Sequence, residues 1–411
     1  MKILHITPSY KPAYIYGGVI ESVSRLCECL ADAGHQVDVF TTTANGKAEL
    51  SVEPAIPANV EGVNVWYFPR VTKDPTQASP GLWWHLFKHC TEYEVVHVHS
   101  WWNPLAVVAT WICQLRRQRV VLSPRGMLCE YIFNATRVQT KKWIHRVIGR
   151  RTLARSIFHA TAESEYDECM RLIPGWRGFV LPNLLSLPEM KKKTRGRNSI
   201  LTLLFLSRIH QKKGLELLLE AMKSFPFPIR LRIAGSGESD YVDALKERIE
   251  ASGLTQQVEW LGWVDRQRKF EALMNSDLFV LTSHNENFAN VVIEALHVGT
   301  PVLISDRVGL ASFVKDKGLG WVTSLEVKAI RTALFAAYKD VRRRHWVNVN
   351  GRETVAKHFS ESVLIRQYVS WYKMISENGF TNGAFDNTHY NERYHEDSKR
   401  ATIDGVDSHV Q

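Results

Sequence analysis

Short β-branched and aromatic runs alternate with longer helical patterns along most of the chain. The first run is Ile3–Thr7, and a helical pattern from Ile20 to Ala33 separates it from the second run, Val37–Thr42. Such alternation predicts a parallel sheet covered by helices. We therefore predict a doubly wound domain over residues 1–185, with further strands at Val63–Phe68, Val95–His99, Val120–Ser123, Ile157–Thr161 and Gly178–Leu181.

A polar and basic stretch without periodicity follows at residues 186–199, and we interpret it as a surface linker. The alternation then begins again and predicts a second doubly wound domain over residues 200–358. A helical segment at 359–376 comes after the second sheet and could return to the first domain. The aperiodic polar tail 377–411 predicts disorder. The strands of the second domain are predicted at Leu201–Leu206, Ile229–Ala234, Val258–Leu261, Leu278–Thr282, Pro301–Ile304 and Gly320–Val322.

Two such domains in tandem predict where ligands bind. Open α/β sheets bind ligands beyond the carboxyl ends of their strands. The predicted fold class is therefore α/β, with two Rossmann-like domains that face each other across a cleft. We expect the functional residues in the loops that follow the strands.

The composition indicates a folded globular protein. Hydrophobic residues make up 45% of the 411 residues and charged residues 23%, which argues against a disordered or fibrous chain. No apolar run reaches the roughly 18 to 20 residues of a membrane-spanning helix. The amino terminus runs directly into a strand pattern without the features of a signal peptide, so we expect a cytoplasmic protein.

The positive charge is concentrated in one segment. The chain has a net charge of +10. Residues 115–155 contain eleven Lys and Arg and one acid, Glu130, so the net charge of this segment equals that of the whole chain. A segment of this kind indicates an acidic partner. These cations are Arg116, Arg117, Arg119, Arg125, Arg137, Lys141, Lys142, Arg146, Arg150, Arg151 and Arg155.

Two glutamates follow the strand that ends at Thr282. Glu286 falls in the strand-to-helix loop, whereas Glu294 falls inside the helix. A carboxylate in such a loop can accept hydrogen bonds from a ligand's hydroxyl groups, and the amides of a helix N-terminus suit its phosphates. Taken alone, both residues could also be ordinary solvated glutamates.

Further candidates lie in three other loops. Arg208 and Lys213 follow the first strand of the second domain, where an arginine and a lysine could bind phosphate or form a solvated basic turn. Gly235 and Gly237 close the next strand. The Gly17–Gly18 pair follows the first strand of the chain, where glycine either forms a turn or lets backbone amides approach a phosphate or sugar.

Glu286 and Glu294 have seven residues between them. Glu294 is followed by Ala-Leu and then by Gly-x-Pro-Val. This pattern resembles the donor-site signature of family 4 retaining glycosyltransferases with the GT-B fold. The resemblance implies that Arg208 and Lys213 stabilise the leaving pyrophosphate, that Glu286 holds sugar hydroxyls and that Glu294 holds the ribose. The donor-binding residues implied beside Glu294 are Gly17, Gly18, Gly235, Gly237, Asn287, Phe288 and Ala289.

The resemblance also concerns the acceptor side, where this chain departs from the family pattern. Family members usually carry a histidine in the turn after a first-domain strand, whereas this chain has Arg125. Arginine does not titrate near neutral pH, so it could bind an anion or hold a sugar but not transfer a proton. His99, at the end of its strand, is a second acceptor-side candidate. The family's Pro-Asn-Gly at the end of the first domain is matched by Pro182 and Asn183, followed by Leu184.

The resemblance implies transfer of a hexose, with retention of configuration, from a nucleotide diphosphate sugar to a sugar or lipid-linked acceptor. The setting would be bacterial surface polysaccharide synthesis. We expect neither a metal nor a cofactor, because the chain has no Asp-x-Asp and no zinc-ligand spacing. The alternatives are a sugar phosphorylase or epimerase on a related fold, and a non-enzymatic nucleic-acid-binding protein using the basic segment. The latter lacks any recognised binding motif.

The basic segment also suggests where the enzyme works. If residues 138–155 are helical, Trp143, Ile144, Val147 and Ile148 share one face, and no acid interrupts the segment. Cations beside exposed aromatic residues suit an anionic lipid surface. We therefore expect peripheral binding at the inner face of the cytoplasmic membrane. The alternative is that this face packs into the domain and the cations are solvated.

Overall fold

A computed structural model describes residues 1–74, 76–129, 145, 149–189 and 200–378. The first unit contains strands β1 (Lys2–Ile6), β2 (Gln36–Thr42), β3 (Ala44–Asn45), β4 (Ala48–Glu49), β5 (Pro57–Val60), β6 (Val63–Phe68), β7 (Val95–His99), β8 (Val120–Ser123), β9 (Ile157–Ala160) and β10 (Gly178–Val180). The second contains β11 (Leu201–Leu206), β12 (Ile229–Ala234), β13 (Val258–Gly262), β14 (Leu278–Leu281), β15 (Val302–Ser305) and β16 (Gly320–Thr323).

Helices cover both sheets. In the first unit they are α1 (Gly18–Asp32), α2 (Pro80–His89), α3 (Pro104–Leu115), α4 (Arg150–Ala154) and α5 (Glu163–Leu172). The later helices are α6 (Leu215–Met222), α7 (Ser239–Ala251), α8 (Arg266–Met274), α9 (Asn290–His297), α10 (Ala311–Asp316), α11 (Val327–Lys339), α12 (Val341–Phe359) and α13 (Glu361–Asn378). Short 3-10 turns occur at Tyr14–Tyr16, Cys90–Glu92, Gln211–Lys213 and Thr255–Gln257.

The first sheet has the strand order β10-β9-β8-β7-β1-β2-β6-β5. Its neighbours are parallel except for β5 and β6, which pair antiparallel. The sequence did not predict β5, because its four residues are mostly exposed and show no apolar alternation. The order reverses between β7 and β1, and that is the position where an open α/β sheet forms a ligand crevice.

The second sheet has the order β13-β12-β11-β14-β15-β16, and all of its pairs are parallel. Here the order reverses between β11 and β14. The loops after these two strands carry Arg208 and Glu286, so the second crevice lies between the two charged motifs. The predicted fold class, two doubly wound Rossmann-like domains, is confirmed.

Side chains on both faces of each sheet are buried, as expected for parallel strands between layers of helices. In β1, Leu4 and Ile6 join the core beneath α2 and α3, whereas Ile3 joins the opposite core beneath α1 and α13. His5 alternates with Leu4 and Ile6 and therefore lies on the same face as Ile3. This face receives the C-terminal helix.

The chain passes between the two domains twice. Leu184 belongs to the core of the first domain, and the next residue, Leu185, belongs to a core of the second. Near the other end, Phe359 of α12 packs in the second domain, and Leu364 of α13 packs in the first. Helix α13 thus returns to the first domain.

Some predicted segments fall outside the described residues: most of the linker, at 190–199, and the tail from 379 onward. The helix predicted to end at residue 376 continues to Asn378. Most of the basic segment 138–155 also lies outside the described residues, apart from residue 145 and residues 149–155. Among the helices that the structure describes, none has the length and apolar character required to span a bilayer.

Candidate functional site

Glu286 is held by the backbone of its own loop. Its N–H donates to the Arg307 carbonyl at 3.0 Å, and its carbonyl accepts from the Gly309 N–H at 2.8 Å. Three residues later the loop enters α9 through Ala289, whose φ of +67° is in the left-handed region. An alanine in this conformation costs about 1 kcal/mol, and strain of this kind concentrates at functional sites.

The carboxylate of Glu286 carries an ion pair. Lys213 Nζ donates to Glu286 Oε1, and the Ser283 hydroxyl donates to the same oxygen at 2.9 Å. Both charged side chains are mostly buried at the sheet edge. The structure thus brings together two residues that are 73 positions apart and that the sequence predicted to act on one donor.

Glycines let the neighbouring loops pack closely. Gly235 has a φ of +132°, and a Cβ there would lie 1.8 Å from the Ser207 carbonyl oxygen. At Gly237 a Cβ would lie 2.1 Å from the Ile209 carbonyl oxygen. Any side chain at either position would therefore separate this loop from the loop that carries Arg208. The structure gives both glycines a packing role beside the site.

Three cations lie in the loop after β11, whose Lys213 pairs with Glu286. Arg208 is exposed at the carboxyl end of β11 and makes no ion pair with any residue that the structure describes. Lys212, which the sequence analysis passed over, is largely buried. Burial lowers the pKa of Lys212, while the negative charge of Glu286 opposes that change. The site therefore holds more positive than negative charge, as a pyrophosphate group requires.

Glu294 lies buried in α9 and is paired as well. Lys269 Nζ of α8 donates to Glu294 Oε1 at 2.6 Å and lies 3.7 Å from the Glu21 carboxylate of α1. Burial raises the pKa of Glu294, and the Lys269 ammonium partly offsets this rise. Lys269 was not a sequence candidate, because no local motif marks its position opposite Glu294.

The side chains of two predicted donor-binding residues make contacts within the protein. The Phe288 side chain is buried in the second core, with its ring centroid 6.0 Å from that of Phe359, so it cannot line the cleft. Asn287 donates through Nδ2 to the Thr161 hydroxyl of the first domain at 2.6 Å. The Phe288 side chain thus contributes to the core, and the Asn287 side chain links the domains.

The Gly17–Gly18 loop meets the first turn of α9. Asn290 Nδ2 donates to the Gly18 carbonyl at 3.1 Å, and Asn183 Nδ2 donates to Asn290 Oδ1 at 2.9 Å. A Cβ on Gly18 would lie 3.2 Å from Asn290 Nδ2. These hydrogen bonds join Gly18 of the first domain, Asn183 near the end of that domain and α9 of the second domain.

Arg125 does not belong to a basic surface, although it lies in the basic segment. Its backbone is left-handed, with a φ of +53°, and its side chain points into the site. Nε donates to His99 Nδ1 at 3.3 Å, and NH1 donates to Ser22 Oγ and Asn183 Oδ1 at 3.0 Å each. All three acceptors are neutral. Burial lowers the pKa of Arg125, and no carboxylate in the described residues forms an ion pair with it.

The buried carboxylate of Glu165 in the first domain acts electrostatically on Arg125 and raises its pKa, opposing the effect of burial. It accepts from the Gly126 N–H at 2.6 Å and from the Thr161 N–H at 2.8 Å. Burial raises the pKa of Glu165, and these hydrogen bonds oppose the rise. Glu165 thus fixes the turn that contains Arg125 and also the hydroxyl that Asn287 contacts.

His99 is fully buried and lies in a cluster with His5 and His97. Because the Arg125 guanidinium can only donate, His99 Nδ1 accepts, and His99 Nε2–H donates to His5 Nδ1 at 3.0 Å. His99 therefore contacts Arg125 rather than the open cleft. Burial, aided by Arg125, lowers the pKa of His5 to about 3 and holds that of His99 well below its usual range.

A second chain of hydrogen bonds links this cluster to α13. His159 Nε2–H donates to the Leu181 carbonyl at 2.9 Å, so the Ser123 hydroxyl must donate to His159 Nδ1 at 2.7 Å. Ser123 Oγ then accepts from His97 Nε2–H, and His97 Nδ1 accepts from the Tyr372 hydroxyl, both at 2.6 Å. Burial lowers the pKa of His159 to about 3.

Nitrogen atoms of His5, His97 and His99 all lie within 4.8 Å of one another, as a metal site would require. The hydrogen bonds already use both nitrogens of His97 and His99 and Nδ1 of His5. Only His5 Nε2 is buried without a partner. The adjacent Arg125 guanidinium adds positive charge, so these residues do not fit a metal cation.

Two family models divide the chain at the same place as the fold. Residues 17–183 match the model described as Glycosyl transferase 4-like domain, and residues 188–354 match the model of Glycosyl transferases group 1. An uncharacterised glycosyltransferase of Methanocaldococcus jannaschii is 26% identical over 406 residues, covering 92% of this chain and 99% of its own length.

Two further similarities agree. A phosphatidyl-myo-inositol mannosyltransferase of Mycobacterium leprae is 25% identical over 378 residues, covering 88% of this chain and 94% of its own. The structure of Anabaena HepE in complex with UDP and glucose has a TM-score of 0.69 at 19% identity, covering 91% of this chain and 99% of its own. Together with the two family models and the fold, these similarities show that the chain belongs to the family 4-type glycosyltransferases with the GT-B fold.

Proposed function

We propose that this glycosyltransferase moves a hexose from a nucleotide diphosphate sugar to a sugar or lipid-linked acceptor, with retention of configuration. The observation that carries the proposal is the Lys213–Glu286 ion pair beside the exposed Arg208, at the point where the strand order of the second sheet reverses. This pair would provide a carboxylate for sugar hydroxyls and a cation for phosphate.

In the proposed reaction, the bond between the anomeric carbon and the phosphate oxygen breaks, and a bond to the acceptor oxygen forms on the same face of the sugar. The proton of the acceptor hydroxyl passes to the leaving phosphate oxygen. Arg208 and Lys213 stabilise the negative charge that develops on the pyrophosphate. Lys213 is already oriented by its ion pair with Glu286.

Glu294 would accept hydrogen bonds from the ribose, and Lys269 already donates to one oxygen of its carboxyl group. The backbone of Gly17, Gly18, Gly235, Gly237 and Ala289 would line the donor site. On the acceptor side, Arg125 would bind an anionic or hydroxyl-rich group. His99 holds the guanidinium in place and acts as a positioning residue, because its own nitrogens are occupied.

Two relatives guide the choice of substrates. HepE was solved with UDP and glucose, and the M. leprae relative is named for a phosphatidylinositol acceptor. They support a nucleotide-linked hexose as donor and a lipid-linked acceptor, and surface polysaccharide synthesis remains our proposal for the pathway. We also propose that the enzyme works at the inner face of the cytoplasmic membrane.

The test is to incubate the full chain with UDP- and GDP-hexoses and to measure release of UDP or GDP. Proton NMR of the product would then report the anomeric configuration. Release of nucleotide with a product of retained configuration supports the proposal. Release that depends on inorganic phosphate would indicate a phosphorylase, an isomerised donor without release would indicate an epimerase, and inversion would contradict the mechanism.

A further inference from the structure

Two helices on the outer face of the first domain expose large apolar side chains. Trp84 and Phe87 of α2 are 61% and 40% exposed, and Trp111 and Leu115 of α3 are 50% and 55% exposed. The members of each pair are three or four residues apart, so each pair shares one face of its helix. The rings of Trp84 and Phe87 stack with their centroids 6.2 Å apart.

These side chains form one continuous surface together with cations. Lys88 Nζ lies 4.7 Å from the ring centroid of Trp84, and the Arg116 guanidinium, just after α3, lies 5.1 Å from that of Phe87. We call this surface the aromatic–cationic face; it consists of Trp84, Phe87, Lys88, Trp111, Leu115 and Arg116. Helix α4 adjoins it, because Gln114 Nε2 donates to the Thr152 carbonyl at 2.7 Å.

The helices that form or adjoin the aromatic–cationic face carry only positive charge, whereas Glu92, just after α2, pairs with Lys2 and His89. Residues 80–89, 104–119 and 149–155 contain seven Lys and Arg and no Asp or Glu. Exposed tryptophans suit the boundary between head groups and acyl chains, and each nearby cation is attracted by anionic lipids. The rings lie on the outer surface of helices rather than in a groove or on a sheet, where nucleic-acid bases stack.

From these observations we infer that the aromatic–cationic face docks on an anionic lipid bilayer. Docking at a bilayer would bring the enzyme to a lipid-linked acceptor, so its role rests on the proposed function. The vesicle binding itself does not depend on that function. Helix α3 begins at the cleft, because Pro104 closely follows the end of β7 at His99. At 1.5 Å per residue, Trp111 lies roughly 10 Å and Leu115 roughly 16 Å along the helix from Pro104. A lipid-linked acceptor therefore needs to extend only a short distance from the bilayer to the cleft.

The experiment is sedimentation of the full-length protein with vesicles of phosphatidylcholine alone and of phosphatidylcholine mixed with phosphatidylglycerol. Binding is expected for the anionic vesicles only and should decrease at high salt. Arg116→Gln should lower the partition coefficient about fivefold, as expected for one cation at an anionic surface. The double variant Trp84→Ser/Trp111→Ser should lower it by at least about tenfold.

The matched control is the exposed Trp346 of α12 in the second domain, which is 45% exposed and follows Arg342, Arg343 and Arg344. Trp346→Ser/Arg342→Gln should bind vesicles like the wild type. An equal loss of vesicle binding in the control variant, or wild-type binding by the double variant, would overturn the inference. So would equal binding to neutral vesicles, no binding to any vesicle, or binding to RNA alone. Circular dichroism checks folding. Nucleotide release with a soluble acceptor, measured separately, tests the proposed chemistry independently of docking.

Discussion

The two sides of the cleft hold charge in opposite ways. On the donor side, Arg208, Lys213 and Glu286 are fixed charges at a sheet edge, and two of them already form an ion pair. On the acceptor side, one guanidinium, Arg125, is surrounded by neutral histidines and amides. Under the proposed function, the donor side would stabilise a charge that moves during the reaction, whereas the acceptor side would keep one fixed charge in place through hydrogen bonds.

The largest expected effect is on the donor side. Arg208→Ala and Glu286→Gln should each lower turnover at least about a hundredfold, because each removes an electrostatic contact of the transition state. Initial rates of nucleotide release measure this, with the exposed Arg230→Ala and Glu247→Gln as controls. Near wild-type turnover in both donor-side variants would refute the assignment of these residues.

Arg125 should have a smaller effect, on acceptor binding. Removal of a charge-assisted hydrogen bond by Arg125→Gln should raise the KM for acceptor roughly ten- to a hundredfold and leave the KM for donor unchanged. Arg125→Lys, which keeps the charge, should recover part of the loss. Equal KM values for all three proteins would show that Arg125 is only structural, and an equal rise in donor KM would place it on the donor phosphates.

The pH dependence of catalysis gives a separate test of Arg125. Because an arginine stands at this position, the wild-type profile should show no limb near pH 6.5 that disappears on substitution of Arg125. Arg125→His should be at most weakly active. A variant with wild-type turnover and a new limb near pH 6.5 would show that this position can support proton transfer.

The hydrogen bond between Asn287 and Thr161, which joins the two domains, should contribute less to catalysis than Arg125. Thr161→Val removes the hydroxyl that accepts from Asn287 while it keeps the shape of the side chain, and we expect a loss of about three- to tenfold in kcat/KM. Thr110→Val is a matched control, since it removes a buried hydroxyl that bonds within α3. Equal losses in the two variants would indicate a general effect on stability instead.

The smallest expected effect concerns acid stability. The pKa values of His5 and His159 are lowered to about 3 in the folded protein, so the unfolded chain binds more protons below its own pKa of about 6.5. Stability from these residues is complete above that value and decreases toward pH 3. The raised pKa values of Glu165 and Glu294 act in the opposite direction. We expect a net decrease in the free energy of unfolding below pH 6, because the pKa values of His97 and His99 are lowered as well.

Urea unfolding between pH 7 and pH 4 measures this loss. His159→Gln removes one titrating group, and its glutamine can still form one of the two hydrogen bonds. Relative to wild type, the variant should lose less stability as the pH decreases, whatever its stability at pH 7. A wild-type protein whose stability rises between pH 6 and pH 4 would contradict the burial of neutral histidines.

The sequence was informative where the site is local. Glu286 and Glu294 lie on one loop and helix, and the positions of Arg208 and Lys213 follow from a single strand end, so spacing revealed them. The acceptor side joins residues from positions 5 to 372, and no spacing connects His5 to Tyr372. Lys269 and Thr161 were missed for the same reason, because only tertiary packing places them beside Glu294 and Asn287.

The departures from the family pattern are also explained by packing. Leu184, which stands where the resembled family pattern has glycine, places its side chain in the first-domain core at the point where the chain leaves that domain. The family resemblance predicted Phe288 as a donor contact. Its side chain instead packs in the core of the second domain, just before the left-handed turn at Ala289. Periodicity predicts burial in regular strands and helices but gives little information within such loops.

The two passages between the domains have a mechanical consequence. A rigid body that is attached at a single point can swing and twist in any direction, whereas one attached at two separate points rotates about the line that joins them. Here the points are Leu184–Leu185 and the residues between Phe359 and Leu364. We therefore expect any opening of the cleft to be mainly one rotation about this line, which would preserve the alignment of Glu286 and Arg125.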